Sequence, residues 1–158
     1  RVRARALGIA AIALVSRSAP QLVVGGDVEF FARPEWIAVR DAYGLNFART
    51  RNFTSTFMYD ALTGGEADVI SAYTSDGRVA ADRLMILEDT KGAFPSYDAL
   101  LLVSPEASQD PKLIETLRPL IGAIDVDSMR EANFSVDREQ DKKAPREAAA
   151  VLAEKLAL

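Results

Sequence analysis

Short apolar runs alternate with amphipathic stretches over the first two thirds of the chain. These runs have the length of half-buried or buried strands, and they predict strands at residues 21–24, 45–50, 67–73, 84–87 and 99–103. Helical periodicity between them predicts one helix from Pro34 to a stop at Gly44, and another capped by Thr54 or Ser55 and ended by Gly64. Alternation of strand and helix predicts an α/β fold with a mainly parallel sheet.

The last third of the chain is predicted to be helical. Apolar residues at helical spacing predict helices over residues 111–121, 127–133 and 144–158, the second of them capped by Asp127. Residues 137–143 carry six charges in seven positions, which is typical of a solvated connection. We therefore expect an α/β ligand-binding lobe over residues 1–103, followed by C-terminal helices over residues 104–158 that pack on the lobe or on a partner.

The N-terminal stretch has two interpretations. Three arginines within residues 1–5 precede an apolar run over residues 6–15 and small residues up to Ala19, an order typical of a signal peptide. The run is too short to span a bilayer, which takes about 20 residues. The other interpretation is a helix that enters a loop inside a mature domain, and the residues alone favour neither.

Composition narrows the chemistry that the chain can perform. The 158 residues include no Cys and no His, which excludes disulfides, Ser-His-Asp and Cys-His catalysis, and zinc sites built on those ligands. A net charge of −4 argues against a general nucleic-acid binder. Carboxylates near strand ends could form an acid–base pair, although a solvated rim is the simpler interpretation of Glu66, Asp68, Asp76, Glu88, Asp89 and Asp98. We expect no enzyme, no cofactor and no metal site.

Two tyrosines and one arginine are the candidates for ligand binding. Tyr73 closes an apolar strand, Tyr97 lies in a Pro-stiffened loop, and Arg33 lies in a predicted loop between a strand and a helix. Ligands of α/β sheets bind beyond the carboxyl ends of the strands, where such residues would lie. The pattern alone also allows half-buried tyrosines with satisfied hydroxyls and a surface arginine, and it leaves both interpretations open. The segment Gly25-Gly-Asp lacks the spacing of a dinucleotide-binding loop.

Four segments of the chain carry a resemblance to a known family. Residues 25–34, 65–78, 87–98 and 121–133 resemble successive segments of the periplasmic substrate-binding proteins of osmoprotectant ABC transporters, which take glycine betaine, choline and related quaternary amines. The resemblance implies one Rossmann-like lobe of a type II periplasmic binding protein plus its C-terminal return segment, without the N-terminal lobe. It also favours the mature-domain interpretation of the N-terminal stretch, because a comparable segment lies well inside family members.

The resemblance assigns roles to the three candidate residues. Tyr73 and Tyr97 match tyrosines of the family's cage, whose aromatic faces attract a trimethylammonium group that offers no N–H to hydrogen-bond. Arg33 matches the arginine that holds the ligand carboxylate. Phe30, Phe31 and Trp36 are expected in the core or at the rim. A transporter permease is then the expected partner if the other lobe is present, in a periplasmic or other extracytoplasmic location.

A function of a different class is an alternative. A stand-alone, shortened lobe would expose a formerly covered surface and serve as a structural or homodimeric interaction module without a role in transport.

Overall fold

The structure is a computed structural model that describes residues 10–155. Residues 1–9, which hold the basic stretch and the first part of the apolar run, lie outside the described residues. So do residues 156–158, the end of the last predicted helix. The described chain divides into two units, one over residues 10–73 and 82–96 and the other over residues 74–81 and 97–155. The predicted domain boundary at residue 103 stays a prediction.

The first unit contains a parallel three-stranded sheet with the order β2-β1-β3. Its strands are β1 (Val23–Gly26), β2 (Arg49–Asn52) and β3 (Val69–Ile70). Val24 of β1 pairs with Thr50 on one side and with Val69 on the other. The predicted α/β class with a parallel sheet is therefore confirmed.

Helices described in the first unit connect and cover these strands: α1 (Ile12–Ser18), α2 (Val28–Ala32), α3 (Pro34–Tyr43) and α4 (Ser55–Thr63), with a 3₁₀ turn at Ala19–Gln21. Helix α3 has the predicted bounds, because Pro34 suits a first turn and Gly44 ends the helix with a left-handed φ of 61°. Helix α4 follows Thr54 as predicted and ends at Gly64. Both helical predictions are confirmed.

The core of the first unit lies between α1, α3 and the sheet. Val15 of α1 is almost fully buried and packs with Leu22, Val39 and Tyr43. Leu87, from a segment without regular structure, packs against the same cluster. The described part of the N-terminal apolar run thus contributes to this core.

Two strand predictions are wrong. Residues 84–87 have no regular structure. The residue after them, Glu88, forms an isolated parallel bridge with Ala11, in which Ile12 N–H donates to the Glu88 carbonyl over 3.0 Å. Residues 99–103 have no regular structure, and the side chains of Leu100 and Leu102 are 77% and 90% exposed. An apolar run predicts burial, whereas a strand also needs a neighbouring strand to pair with.

Two further strand predictions are displaced along the chain. Strand β1 runs through Gly25 and Gly26, which we expected to form a turn. A Cβ atom on Gly25 would lie 3.0 Å from the Phe53 ring, so this glycine serves close packing. Strand β2 begins at Arg49 rather than residue 45, and all four of its residues are exposed. Its hydrogen bonds to β1, and not an apolar pattern, define it.

The second unit is helical. It contains α5 (Gly77–Ala81), α6 (Pro111–Leu117), α7 (Val126–Asp137) and α8 (Pro145–Lys155), with 3₁₀ turns at Ala107–Gln109 and Arg118–Leu120. Helix α6 is shorter than predicted and tightens into a 3₁₀ turn at Pro119, because proline lacks the N–H that an α-helix requires. Within residues 10–155, no helix is both long enough and apolar enough to cross a membrane.

The cap predicted for α7 is wrong by two residues. Asp125, and not Asp127, accepts a hydrogen bond from Ser128 N–H over 2.7 Å and begins the helix. The backbone and hydroxyl hydrogen bonds of Ser128 hold the pKa of Asp125 below its ordinary value. Asp127 lies in the first turn, where it pairs with Arg130 over 2.8 Å.

Candidate functional site

The candidate site begins where β1 ends. Asp27 follows the strand and accepts a hydrogen bond from Phe30 N–H over 2.5 Å, which caps α2. Gly26 leaves room for this helix to approach the strand, since a Cβ atom there would lie 2.9 Å from the Phe30 ring and 3.1 Å from the Phe31 ring. The segment of Arg33, predicted to be a loop, is therefore a short helix followed directly by α3.

An aromatic cluster supports this corner of the fold. The ring of Trp36 lies 5.6 Å from that of Phe30, 5.2 Å from that of Phe31 and 6.2 Å from that of Phe47, measured between centroids. The Trp36–Phe31 contact is edge-to-face and the Trp36–Phe47 contact is stacked, and both are favourable aromatic geometries. The three residues that we expected in the core or at the rim are partly buried and pack on one another.

Arg33 is the residue at which α2 ends and α3 begins. Its N–H donates to the Phe30 carbonyl over 3.1 Å, and Pro34 follows as the first residue of α3. Its side chain is 35% exposed, and its Nη2 donates to Glu29 Oε1 over 2.5 Å. The backbone of Arg33 is thus held on both sides, by its hydrogen bond to Phe30 and by the start of α3, while its guanidinium remains accessible to solvent.

Tyr73 follows the carboxyl end of β3. Ser71 N–H donates to the Gly25 carbonyl over 3.1 Å, which continues the contact between β3 and β1 just before this tyrosine. The Tyr73 side chain is 54% exposed. Because β1 and β3 are parallel neighbours, their carboxyl ends lie at the same end of the sheet. Tyr73 thus comes three residues after the carboxyl end of β3, and Arg33 follows the same end of β1 after the short helix α2.

Tyr97 belongs to the second unit. Tyr97 is 51% exposed and lies in an irregular segment that extends over residues 95–104. An exposed aromatic face of this kind is suited to contact a cation.

A contact between Tyr43 and Asp89 is one that sequence reasoning missed. The Tyr43 hydroxyl donates to the Asp89 carboxylate and accepts from Lys91 N–H over 2.6 Å. Burial raises the pKa of Asp89, but hydrogen bonds from Phe94 N–H, the Tyr43 hydroxyl and the N–H groups of Ala93 and Lys91 outweigh it and lower that pKa. The sequence signal of such a turn is an aspartate three residues before a glycine, here Asp89 and Gly92. From the sequence we interpret Asp89 only as a carboxylate on a solvated rim.

Two of the other carboxylates considered for acid–base chemistry have structural partners. Glu66 pairs with Arg51 over 2.9 Å, and Asp68 accepts from Val23 N–H over 2.9 Å at the start of β1. Among residues 10–155, no three carboxylates are grouped so that they could hold a metal ion.

Comparison with known proteins identifies the family. Residues 2–154 match the family described as the substrate binding domain of the ABC-type glycine betaine transport system. The chain is 34% identical over 128 residues to a glycine-betaine-binding protein of Pseudomonas aeruginosa, covering 78% of this chain and 40% of that protein. It is 33% identical over 101 residues to a carnitine transport binding protein of Listeria monocytogenes, covering 63% of this chain and 33% of that protein.

A solved structure has the same fold. The crystal structure of a glycine betaine/carnitine/choline ABC transporter protein superimposes with a TM-score of 0.82 at 28% identity, covering 96% of this chain and 56% of that one. The chain spans 40% of the length of the glycine-betaine-binding protein of Pseudomonas aeruginosa and 33% of that of the carnitine transport binding protein of Listeria monocytogenes. Binding domains of this kind are transport components and not enzymes. By the match over residues 2–154, the chain belongs to the family of substrate-binding domains of ABC-type glycine betaine transport systems.

Proposed function

We propose that the chain is part of the solute-binding component of an ABC importer for quaternary ammonium osmolytes such as glycine betaine or choline. The observation that carries the proposal is the family match over residues 2–154, and it is supported by Arg33 and Tyr73 lying on segments that follow the carboxyl ends of the parallel strands β1 and β3. A transporter permease would be the partner, and the location would be periplasmic or otherwise extracytoplasmic.

The proposed chemistry follows from the ligand. A trimethylammonium group carries a permanent charge and no N–H, so an aromatic face attracts it by about 0.5–2 kcal/mol per ring. Tyr73 and Tyr97 are the proposed faces, and about half of each side chain is exposed. Arg33 is proposed to hold the carboxylate of betaine through its planar, permanently charged fork.

The family match favours this binding function over a structural or homodimeric module. Homodimerisation stays a prediction that light scattering at several concentrations would test.

The test measures binding of glycine betaine and choline to the chain by NMR chemical-shift titration, at ligand concentrations up to the millimolar range. We expect Tyr73→Ala and Tyr97→Ala each to weaken both ligands, because both ligands carry the same cation. Arg33→Gln should weaken glycine betaine more than choline, since only betaine has a carboxylate. Asp41→Asn, which changes an exposed ion pair with Arg40 elsewhere in the first unit, serves as the control. Unchanged binding in all three site variants, or no ligand shifts in the wild-type chain, would refute the proposal.

A further inference from the structure

The guanidinium proposed to hold a ligand carboxylate already contacts a carboxylate of the chain itself. Glu29 Oε1 lies 2.5 Å from Arg33 Nη2, in an i,i+4 pair. Glu29 is 73% exposed at its side chain, and Arg33 is 35% exposed. The pair is therefore reachable by a small solute from outside the protein.

Local structure fixes this pairing. The Asp27 cap starts α2, Glu29 lies in its first turn, and Arg33 is the residue that ends the helix four positions later, where the two side chains meet. Arg33 cannot move away along the chain, because its N–H is bonded to Phe30 and Pro34 begins the next helix. Glu29 thus stays within reach of the guanidinium for as long as α2 is formed.

Two carboxylates near one guanidinium compete for the same donors. A carboxylate ligand that approaches Arg33 must share those N–H groups with Glu29 or displace it, and the two negative charges repel each other. A quaternary amine without a carboxylate meets no such competition, and the charge of Glu29 attracts its cation. We propose that Glu29 is a specificity-determining residue, which lowers the affinity for carboxylate-bearing quaternary amines relative to carboxylate-free ones. This inference rests on the proposed function of Arg33.

The test compares glycine betaine with choline in the wild-type chain and in Glu29→Gln. Exposed ion pairs are weak, so we expect Glu29→Gln to raise the ratio of betaine to choline affinity about two- to fivefold. Glu66→Gln is the matched control, because Glu66 is also an exposed glutamate paired with an arginine, Arg51, in the same unit. A ratio that is unchanged in Glu29→Gln, or raised equally in Glu66→Gln, would overturn the inference.

A variant at Arg33 separates this inference from the proposed function. If Glu29 acts through the guanidinium, Glu29→Gln should no longer raise the ratio when Arg33→Gln is also present. If Arg33→Gln alone leaves the ratio unchanged, the proposed role of Arg33 is wrong and the inference falls with it. If Arg33→Gln lowers the ratio and Glu29→Gln does not raise it, only the inference is wrong.

A second measurement needs no quaternary amine. Acetate carries the carboxylate alone, and the Nε–H signal of Arg33 in the NMR spectrum reports its approach. We expect acetate to shift this signal at lower concentration in Glu29→Gln than in the wild-type chain or in Glu66→Gln. Equal acetate titrations in all three proteins would contradict competition at the guanidinium, whatever the outcome with betaine.

Discussion

Removal of the Tyr43 hydroxyl tests the packing of the first unit most directly. The side chain is only 6% exposed and belongs to the core, while its hydroxyl donates to Asp89 and accepts from Lys91 N–H. Tyr43→Phe keeps the ring and removes both hydrogen bonds. The variant therefore isolates the polar contact between the end of α3 and the turn that begins at Asp89.

The magnitude follows from the charge on Asp89. A hydrogen bond to a charged group contributes about 1.5–3 kcal/mol, and the partial exposure of Asp89 places this one near the lower end, about 1.5 kcal/mol. For a chain of this length, such a loss lowers Tm by about 3–6 °C. Thermal unfolding followed by circular dichroism at pH 7 measures the shift, and urea unfolding gives the free energy of unfolding.

The pH dependence gives a second, independent check. Because the pKa of Asp89 is lowered in the folded state, its contribution to stability is present above the unfolded carboxyl pKa of about 3.9 and is lost as the pH falls through the folded value. The difference in free energy of unfolding between wild type and Tyr43→Phe should therefore have its full size at pH 7 and shrink below about pH 4. In an Asp89→Asn background, Tyr43→Phe should lower the free energy of unfolding by less. A difference that stays constant down to pH 3, or that is undiminished in that background, would refute the reasoning.

Two further predictions concern the second unit and the binding chemistry. Gly77→Ala should lower the free energy of unfolding by about 1–3 kcal/mol, because a Cβ atom at Gly77 would lie 2.4 Å from the backbone nitrogen of Phe134 where α5 meets α7; an unchanged urea midpoint would contradict this. Affinity for choline should be constant between about pH 6 and pH 9, because the ligand charge is permanent and the chain contains no His or Cys, as NMR titration at several pH values would show.

The helices were predictable where both of their ends carry a local signal. Helix α3 has Pro34 at its start and Gly44 at its end, and both act through the backbone of a few neighbouring residues. Helix α2 was missed because five residues are too few to show a helical period. Its one local signal is the capping residue Asp27, which follows two glycines and therefore also fits a turn.

The strands were less predictable because their definition depends on distant partners. All four residues of strand β2 are exposed, and the strand is defined by its hydrogen bonds to β1, which no pattern of its own residues reveals. Residues 99–103 show the converse. Their apolar run predicts a buried strand, yet Leu100 and Leu102 are exposed.

The candidate site could be predicted only in part, for the same physical reason. Arg33 and Tyr73 could be proposed from the sequence because parallel strands place their carboxyl ends at the same end of the sheet, which needs no knowledge of side-chain contacts. Glu29 was not found, because its contact with Arg33 exists only once residues 28–32 form a helix, and the sequence had been interpreted there as a loop. The arginine that we propose as the carboxylate-binding group was selected from its place after a strand, whereas the carboxylate that we propose to compete for it is positioned by one turn of helix. A change that unwinds α2, such as loss of the Asp27 cap, should therefore act on ligand preference in the same direction as removal of the Glu29 charge.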